Sequence, residues 1–190
     1  MSELLQEIES YWSTRTEGYS EVNQKELQGI QKKVWLQVLK EQFPDKPKEQ
    51  LKILDIGTGP GFFPMILAGD GYRVDAVDYT QEMLEKAMKN TAKLCESIQF
   101  QKMDAQHLTF GDGVFDVVIS RNLTWNLEEP EKAYGEWYRV LKPGGTLLNF
   151  DANWYGYLYD EGKREAYEND RKNVESKNPV SYTHLRAHET

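Results

Sequence analysis

The chain has 190 residues, with 23 lysines and arginines against 31 aspartates and glutamates, and a formal net charge of −8. This length suits a single domain, and the acidic balance argues against a general nucleic-acid-binding protein, which would show a basic stripe. The sequence has no run of the roughly 18 apolar residues that a membrane helix needs, and its acidic start lacks the pattern of a signal peptide. Because the single Cys95 cannot form an internal disulfide, we predict a cytoplasmic protein.

Residues 1–50 are polar and have a helical pattern, which predicts a helical cap ahead of the core. Residues 22–43 place apolar side chains at helical spacing, and we predict one amphipathic helix there that ends before Pro44. Trp12 and Tyr19 lie upstream of this helix.

A glycine-rich turn follows the first predicted strand, residues 51–56. Gly57, Gly59 and Gly61 alternate there, and Asp55 stands two positions before the first of them. Glycines let a ligand approach the backbone closely because they have no Cβ and tolerate positive φ. The spacing differs from the G-x-G-x-x-G of dinucleotide sites, whose last glycine is replaced here by Phe62.

Four more strands are predicted downstream, and helices alternate with them. The second strand, residues 72–78, ends in Asp78, about 20 residues beyond the first glycine, where doubly wound folds place a carboxylate on ribose hydroxyls. Thr80 is predicted to cap the next helix, residues 81–93. The other strands are predicted at residues 98–103, 115–120 and 146–151, with a helix over residues 128–141 that the Lys-Pro-Gly-Gly turn at 142–145 stops. This alternation predicts an α/β fold with a doubly wound, mostly parallel sheet of five strands.

Several motifs between residues 53 and 151 occur together in one known family. They are the Asp-x-Gly-x-Gly-x-Gly turn at 55–61, the acid Asp78, the pair Asp104-Ala105, the strand 115–118 and the helix end Arg-Val-Leu-Lys-Pro-Gly-Gly at 139–145. Together they resemble the class I S-adenosylmethionine (SAM) methyltransferases, of the small-molecule type related to ubiquinone/menaquinone methyltransferases. The resemblance implies a Rossmann-like core, SAM as cofactor and methyl transfer to a small-molecule acceptor by in-line displacement.

The resemblance also implies roles for individual residues. The cofactor-binding set that it predicts is Asp55, Gly57, Gly59, Gly61, Asp78, Asp104, Ala105, Arg121 and Tyr19. In the family the acid at the Asp55 position organises the loop and helps to hold the amino group of SAM, although an acid there could also only brace the loop. The pair at the Asp104-Ala105 position meets adenine, with a surface turn as the alternative. Met83 and Asp116 are predicted to be packing and structural residues.

The segments around the cleft carry further candidates. Trp12, Arg15 and Tyr19 resemble the W-x-x-R-x-x-x-Y lid of the family, in which Arg15 or Tyr19 would approach the cofactor carboxylate; anchoring of the helix is the alternative. Arg121 and Asn122 are predicted to contact SAM and Trp125 to line the acceptor pocket, or all three to pack.

The general base, if one exists, is not identified by the sequence. Asp151, Tyr155 and Tyr157 are the candidates because they follow the fifth strand. The acceptor and the oligomeric state are also left open. An NAD-dependent oxidoreductase and a non-catalytic SAM-binding module are the alternative functions.

The last residues, 180–190, resemble a translated adaptor from a DNA sequencing library and are excluded from fold reasoning. His184 and His188 within them therefore do not indicate a metal site, and no metal is predicted. The family sheet has strand order 3-2-1-4-5-7-6. We therefore predict a SAM-binding core over residues 51–179 that is truncated and lacks the last two strands.

Overall fold

The computed structural model describes residues 2–152 and 156–175 of the chain. It divides into two units, Met1–Asp151 and Ala152–Thr190. The helices and strands of the first unit are α1 (Glu3–Ser13), α2 (Thr16–Glu26), α3 (Gln31–Lys40), β1 (Ile53–Ile56), α4 (Phe62–Leu67), β2 (Val74–Asp78), α5 (Gln81–Asn90), β3 (Ile98–Lys102), β4 (Phe115–Arg121), α6 (Pro130–Val140) and β5 (Leu141–Phe150). The second unit contains α7 (Glu161–Glu175).

The five strands form one parallel sheet in the order β3-β2-β1-β4-β5. β1 is central, so Ile53 pairs with Val74 on one side and with Val117 on the other. Every residue of β1 is buried, as expected for a parallel strand with helices on both faces of its sheet. The predicted α/β fold with a doubly wound sheet is confirmed.

Each face of the sheet has its own hydrophobic core. Ile53 of β1 faces a cluster with Leu39 of α3 and Phe63 of α4. Leu54, the next residue, faces the opposite cluster, which includes Trp137 of α6. Successive strand residues point to opposite faces, so Asp55 shares the face of Ile53.

The single helix predicted over residues 22–43 is wrong, because α2 and α3 are separate helices. Gly29 between them adopts φ +65°, a left-handed conformation that interrupts a right-handed helix. The predicted apolar face is also only partly buried, since Ile30, Val34 and Val38 are 70%, 45% and 38% exposed.

Two predicted boundaries and one predicted helix cap also differ from the structure. α5 ends at Asn90 and a 3-10 helix follows over Ala92–Ser97, where one helix to residue 93 was predicted. Thr80 makes no side-chain capping hydrogen bond. β5 begins at Leu141 and includes the Lys-Pro-Gly-Gly turn, because Leu141 pairs with Phe115 across an irregular register.

In the second unit, α7 follows a short 3-10 helix, Gly156–Leu158. The rings of Tyr157 and Tyr167 stack with centroids 4.1 Å apart. None of the described helices is long and apolar enough to cross a bilayer.

Candidate functional site

A cleft opens at the carboxyl ends of β1, β2 and β4, where open α/β sheets bind their ligands. Its free volume, counted out to its open mouth, is about 720 Å³. The core supplies one wall and the helices α1 and α2 supply the other. The lining residues are Leu5, Ile8, Trp12, Tyr19, Gly57, Gly59, Asp78, Tyr79, Thr80, Met83, Met103, Asp104, Ala105, Gln106, Arg121, Asn122, Leu123, Asn126 and Leu127.

The glycine-rich loop runs from β1 into α4 with all three glycines at positive φ, +68°, +54° and +88°. A Cβ on Gly57 would lie 2.9 Å from Leu123 Cδ2. A Cβ on Gly61 would lie 3.2 Å from the Cβ of Ala87 in α5. Gly57 and Gly59 line the cleft, whereas Gly61 shapes the loop from behind.

Asp78 at the end of β2 holds this loop. Its Oδ2 accepts a hydrogen bond from the Gly59 nitrogen and its Oδ1 accepts one from the Thr80 nitrogen, both at 2.8 Å. Burial raises the pKa of Asp78, and these two backbone donors oppose the rise. Each carboxylate oxygen has further acceptor capacity, so the group can still accept hydrogen bonds from a ligand in the cleft.

Asp55 lies beneath the loop, 1% exposed. Neither its Oδ2 nor the buried Thr58 Oγ1 has a hydrogen-bond partner among the described residues. Both line a small cavity that Tyr19 and Arg121 also line. Burial raises the pKa of Asp55 to about 7; the nearby Thr58 hydroxyl opposes the rise, although it is outside hydrogen-bond geometry, and the charge of Asp78 adds to it.

A tight turn after β3 forms another part of the wall. Asp104 Oδ1 accepts a hydrogen bond from the Gln106 nitrogen at 2.8 Å, and its Oδ2 lies 3.1 Å from His107 Nδ1. The Ala105 carbonyl accepts a hydrogen bond from Trp137 Nε1 at 2.9 Å. These contacts fix Asp104 and Ala105 at the cleft. Gln106, which was not predicted, lines it beside them.

The helices α1 and α2 cover the cleft with apolar and aromatic side chains. Leu5, Ile8 and Trp12 of α1 line it. Trp12 was predicted as part of a lid, whereas Leu5 and Ile8, which lie at helical spacing from it, were not named. Tyr19 of α2 lies against the loop, 3.5 Å from the position of a Cβ on Gly59, and its hydroxyl accepts a hydrogen bond from Asn122 Nδ2 at 3.4 Å.

Arg121 at the end of β4 lines the cleft but is already paired. Its Nη2 donates to Glu26 Oε2 at 2.7 Å, and its guanidinium lies 3.9 Å from the centroid of the Phe62 ring. Glu26 also accepts a hydrogen bond from Trp35 Nε1 at 3.0 Å. Nothing in the sequence indicated Glu26, because no local pattern relates it to Arg121.

Several other candidates lie outside the cleft lining. Arg15 donates to the Tyr11 carbonyl at 3.2 Å and lies over the Tyr11 ring, and it is not among the residues that line the cleft. Trp125 packs edge-on against Trp12, with centroids 6.1 Å apart. Asp151 accepts a hydrogen bond from the Thr124 hydroxyl.

Met83 and Asp116 have the surroundings predicted for them. Met83 is 2% exposed, although it also lines the cleft. Asp116, at the start of β4, forms ion pairs with Lys46 and Lys142, each at 2.7 Å.

The remaining candidates cannot be placed at the cleft. Tyr157 belongs to the second unit, and Tyr155, His184 and His188 lie outside the described residues. Within residues 2–152 and 156–175, no group of three or more His, Cys, Asp and Glu side chains could hold a metal ion.

Comparison with known proteins identifies the family. The model of a methyltransferase domain matches residues 54–149, about half of the chain and the part that contains the loop, Asp78 and Asp104. The chain belongs to the SAM-dependent methyltransferase family. This finding confirms the predicted family with SAM as its cofactor, and it favours a methyltransferase over the alternative of an NAD-dependent oxidoreductase.

Individual methyltransferases show both the similarity and its limits. The arsenite methyltransferase of Halobacterium salinarum is 37% identical over 103 residues, 52% of this chain and 26% of its own length. The demethylmenaquinone methyltransferase of Thermus thermophilus is 37% identical over 103 residues, 53% of this chain and 47% of its own length. The chain thus spans less than half of either relative.

A solved structure covers more of the chain. A Methanococcus maripaludis protein described as a SAM-dependent methyltransferase superposes with a TM-score of 0.68 and 26% identity, covering 87% of this chain and 74% of that one. The similarity therefore extends well beyond the matched domain.

Proposed function

We propose that this chain binds SAM in the cleft and transfers its methyl group to a small-molecule acceptor. One observation carries the proposal: a single cleft at the carboxyl ends of the strands brings together Gly57, Gly59, Asp78, Asp104 and Arg121. These residues come from four separate stretches of the sequence.

The unsatisfied polar atoms of the site fit this cofactor. Asp55 Oδ2 and Thr58 Oγ1 are buried without described partners, which suits the cationic amino group at the methionine end of SAM. Asp78 keeps acceptor capacity for the two ribose hydroxyls. Asp104 and Ala105 would face the adenine, beside the apolar side chains of the cleft. Arg121 and Tyr19 would lie at the methionine end.

The chain's own residues then have two tasks. When bound, SAM supplies a methyl group that is already activated as a sulfonium. The protein has to align donor and acceptor and exclude water, which accounts for much of the rate enhancement in reactions of this kind. We propose residues 1–50 as the lid that excludes water, because Leu5, Ile8 and Trp12 cover the cleft. The cleft-lining residues from Gly57 to Leu127 belong to the cofactor-binding core that the sequence predicts over residues 51–179.

The acceptor class and the compartment belong to the same proposal. Similarity to an arsenite methyltransferase and to a demethylmenaquinone methyltransferase supports a small-molecule acceptor. The exposed free thiol of Cys95 supports a reducing cytosol.

Calorimetry with S-adenosylhomocysteine (SAH) and NAD⁺, side by side, tests the cofactor assignment. We expect binding of SAH and no binding of NAD⁺. Methyl transfer from radiolabelled SAM to a panel containing arsenite, a quinol and small amines then tests catalysis. Binding of SAH without transfer to any acceptor would favour a non-catalytic SAM-binding module, and absence of SAH binding would refute the proposal.

A further inference from the structure

Asn90, the last residue of α5, joins three separate segments of the protein. Its Nδ2 donates to the Pro60 carbonyl at 2.9 Å and to Ser20 Oγ at 3.0 Å. Its Oδ1 accepts a hydrogen bond from Gln24 Nε2 at 2.8 Å. The side chain thus connects the glycine-rich loop to α2, which covers the cleft.

The Pro60 carbonyl needs a donor from outside its own segment. Pro60 precedes Gly61, the N-cap of α4, whose own carbonyl accepts the first helical hydrogen bond from the Met65 nitrogen at 3.0 Å. A carbonyl ahead of the N-cap has no donor within the helix. Asn90 supplies the donor, which explains why a side-chain amide lies against this turn.

Only an amide of this size can make all three bonds. A carboxamide has two N–H donors and one carbonyl acceptor in a single plane. An aspartate at position 90 would keep the acceptor for Gln24 and lose both donors, and it would turn an oxygen toward the Pro60 carbonyl. Ser20 is 0% exposed and Asn90 is half-buried, so the bond between them is partly shielded from water. Hydrogen bonds are stronger where water is excluded.

The surroundings of Asn90 show what it controls. Tyr19, the neighbour of Ser20, lies 3.5 Å from the position of a Cβ on Gly59. Ala87, one turn before Asn90, lies 3.2 Å from the position of a Cβ on Gly61. The loop is therefore held on one side by α2 and on the other by α5, and Asn90 connects both helices to the peptide between these two glycines.

We infer that Asn90 is a positioning residue, which couples closure of α2 over the cleft to the shape of the glycine-rich loop. This inference rests on the proposed function, because it assigns to Asn90 an effect on cofactor affinity. The residue acts through the Pro60 carbonyl and Ser20 and is not itself among the residues that line the cleft.

Calorimetry with SAH on Asn90→Asp and Asn90→Ala, beside Lys89→Ala, tests the inference. Lys89 is exposed on the same turn of α5, so its variant is a matched control. We expect the dissociation constant of both Asn90 variants to rise about tenfold, with the binding stoichiometry unchanged and the control equal to wild type. Irreversibly unfolded protein would lower the stoichiometry and leave the dissociation constant as it is. Reversible unfolding would raise the apparent dissociation constant, so urea unfolding of each variant measures the folded fraction by which the constant is corrected. Wild-type affinity in both Asn90 variants would overturn the inference while the proposed function stands.

Hydrogen exchange without ligand gives a second and independent readout. We expect Asn90→Asp to speed exchange of the amides in residues 59–65 and in α2 together, and Ser20→Ala to do the same more weakly. Faster exchange in only one of these segments would refute the coupling. Because hydrogen exchange needs no cofactor, it tests the coupling even if the wild-type protein fails to bind SAH. Failure to bind SAH would refute the proposed function and leave the coupling to be tested by exchange. If neither Asn90 variant folds, calorimetry and hydrogen exchange are both done on Ser20→Ala.

Discussion

The carboxylate of Asp78 accepts hydrogen bonds from the backbone nitrogens of Gly59 and Thr80, each at 2.8 Å. The end of β2 therefore fixes the glycine-rich loop and the start of α5 with one side chain. Since Asp78 also lines the cleft, the residue proposed to bind ribose is the one that shapes the loop beside it.

We expect Asp78→Asn to weaken SAH binding by roughly 1–3 kcal/mol, because an amide leaves one of these backbone donors, or a ribose hydroxyl, without an acceptor. Calorimetry measures the change. Asp75→Asn is the control, since Asp75 lies on the same strand and is not among the cleft-lining residues. Equal affinities of the Asp78 variant and wild type would contradict the ribose assignment.

Substitution of two glycines by alanine should have opposite effects on stability. Gly61 has φ +88° and little space beside Ala87, so Gly61→Ala should lower the free energy of unfolding by about 1–3 kcal/mol. Gly18 lies inside α2 with nothing within 4 Å of an added Cβ, so Gly18→Ala should raise it by about 0.5–1 kcal/mol. Urea unfolding measures both, and a destabilised Gly18 variant would show that α2 is packed differently.

The buried Asp55 should make stability depend on pH. Burial raises its pKa from 3.8 to about 7, so between these values the folded protein retains a proton that the unfolded chain has released. The free energy of unfolding should therefore fall as the pH rises from about 4 to about 7, by up to about 4 kcal/mol for this group.

Asp55→Asn should remove most of this dependence and be more stable than wild type at pH 8. Urea unfolding from pH 5 to pH 8 measures it. The raised pKa of Asp78 acts in the same direction, so a smaller slope should persist in the variant. A wild-type protein with no loss of stability over this range would show that Asp55 is charged throughout.

Substitution of Asp116 should lower the free energy of unfolding and leave the affinity for the cofactor unchanged. Burial alone would raise the pKa of Asp116. Hydrogen bonds from Lys142 and Lys46 outweigh this effect and hold the pKa of Asp116 at about 2. The contribution of Asp116 to the free energy of unfolding is therefore complete at pH values above 3.8, its pKa in the unfolded chain, and is lost as the pH falls through about 2.

At neutral pH, Asp116→Asn should cost about 1–3 kcal/mol, less than a fully buried ion pair because both lysines are partly exposed. SAH affinity should stay at the wild-type value, since Asp116 lies at the start of β4 and the cleft at its end. Asp112→Asn is the control, because the Asp112 side chain is 80% exposed in its pair with Arg139 and screening should leave little effect. A change in affinity for Asp116→Asn would place it in the site.

The sequence predicted the sheet well because its strands are buried on both faces. β1 and β4 are nearly continuous apolar runs, and the helices between them are amphipathic. The periodicity of apolar residues alone therefore distinguishes strands from helices here. The helical cap was predicted less well. Gly29 was not recognised as a break, because a single glycine is tolerated within many helical patterns.

The cleft residues that were predictable are those whose position the fold alone determines. The loop glycines and Asp78 follow from strand ends, which meet at one edge of a parallel sheet. The partners of these residues were not predictable. Glu26 and Arg121 are 95 positions apart, and among 31 acids no local pattern distinguishes Glu26. Asn90 likewise has no local signal, because its hydrogen bond to the Pro60 carbonyl exists only once the fold places this turn beside α5.

The two covering helices precede their ionic partners in the chain, and this order has a consequence for folding during synthesis. α1 and α2 have 11 residues each, and isolated helices of this length are marginal in water. Their ionic partners are Lys86, Lys102 and Arg121, which leave the ribosome much later. We therefore expect this cover to be among the last parts of the unit to become ordered, so that a nascent chain from which Arg121 has not yet emerged has a glycine-rich loop without its complete cover.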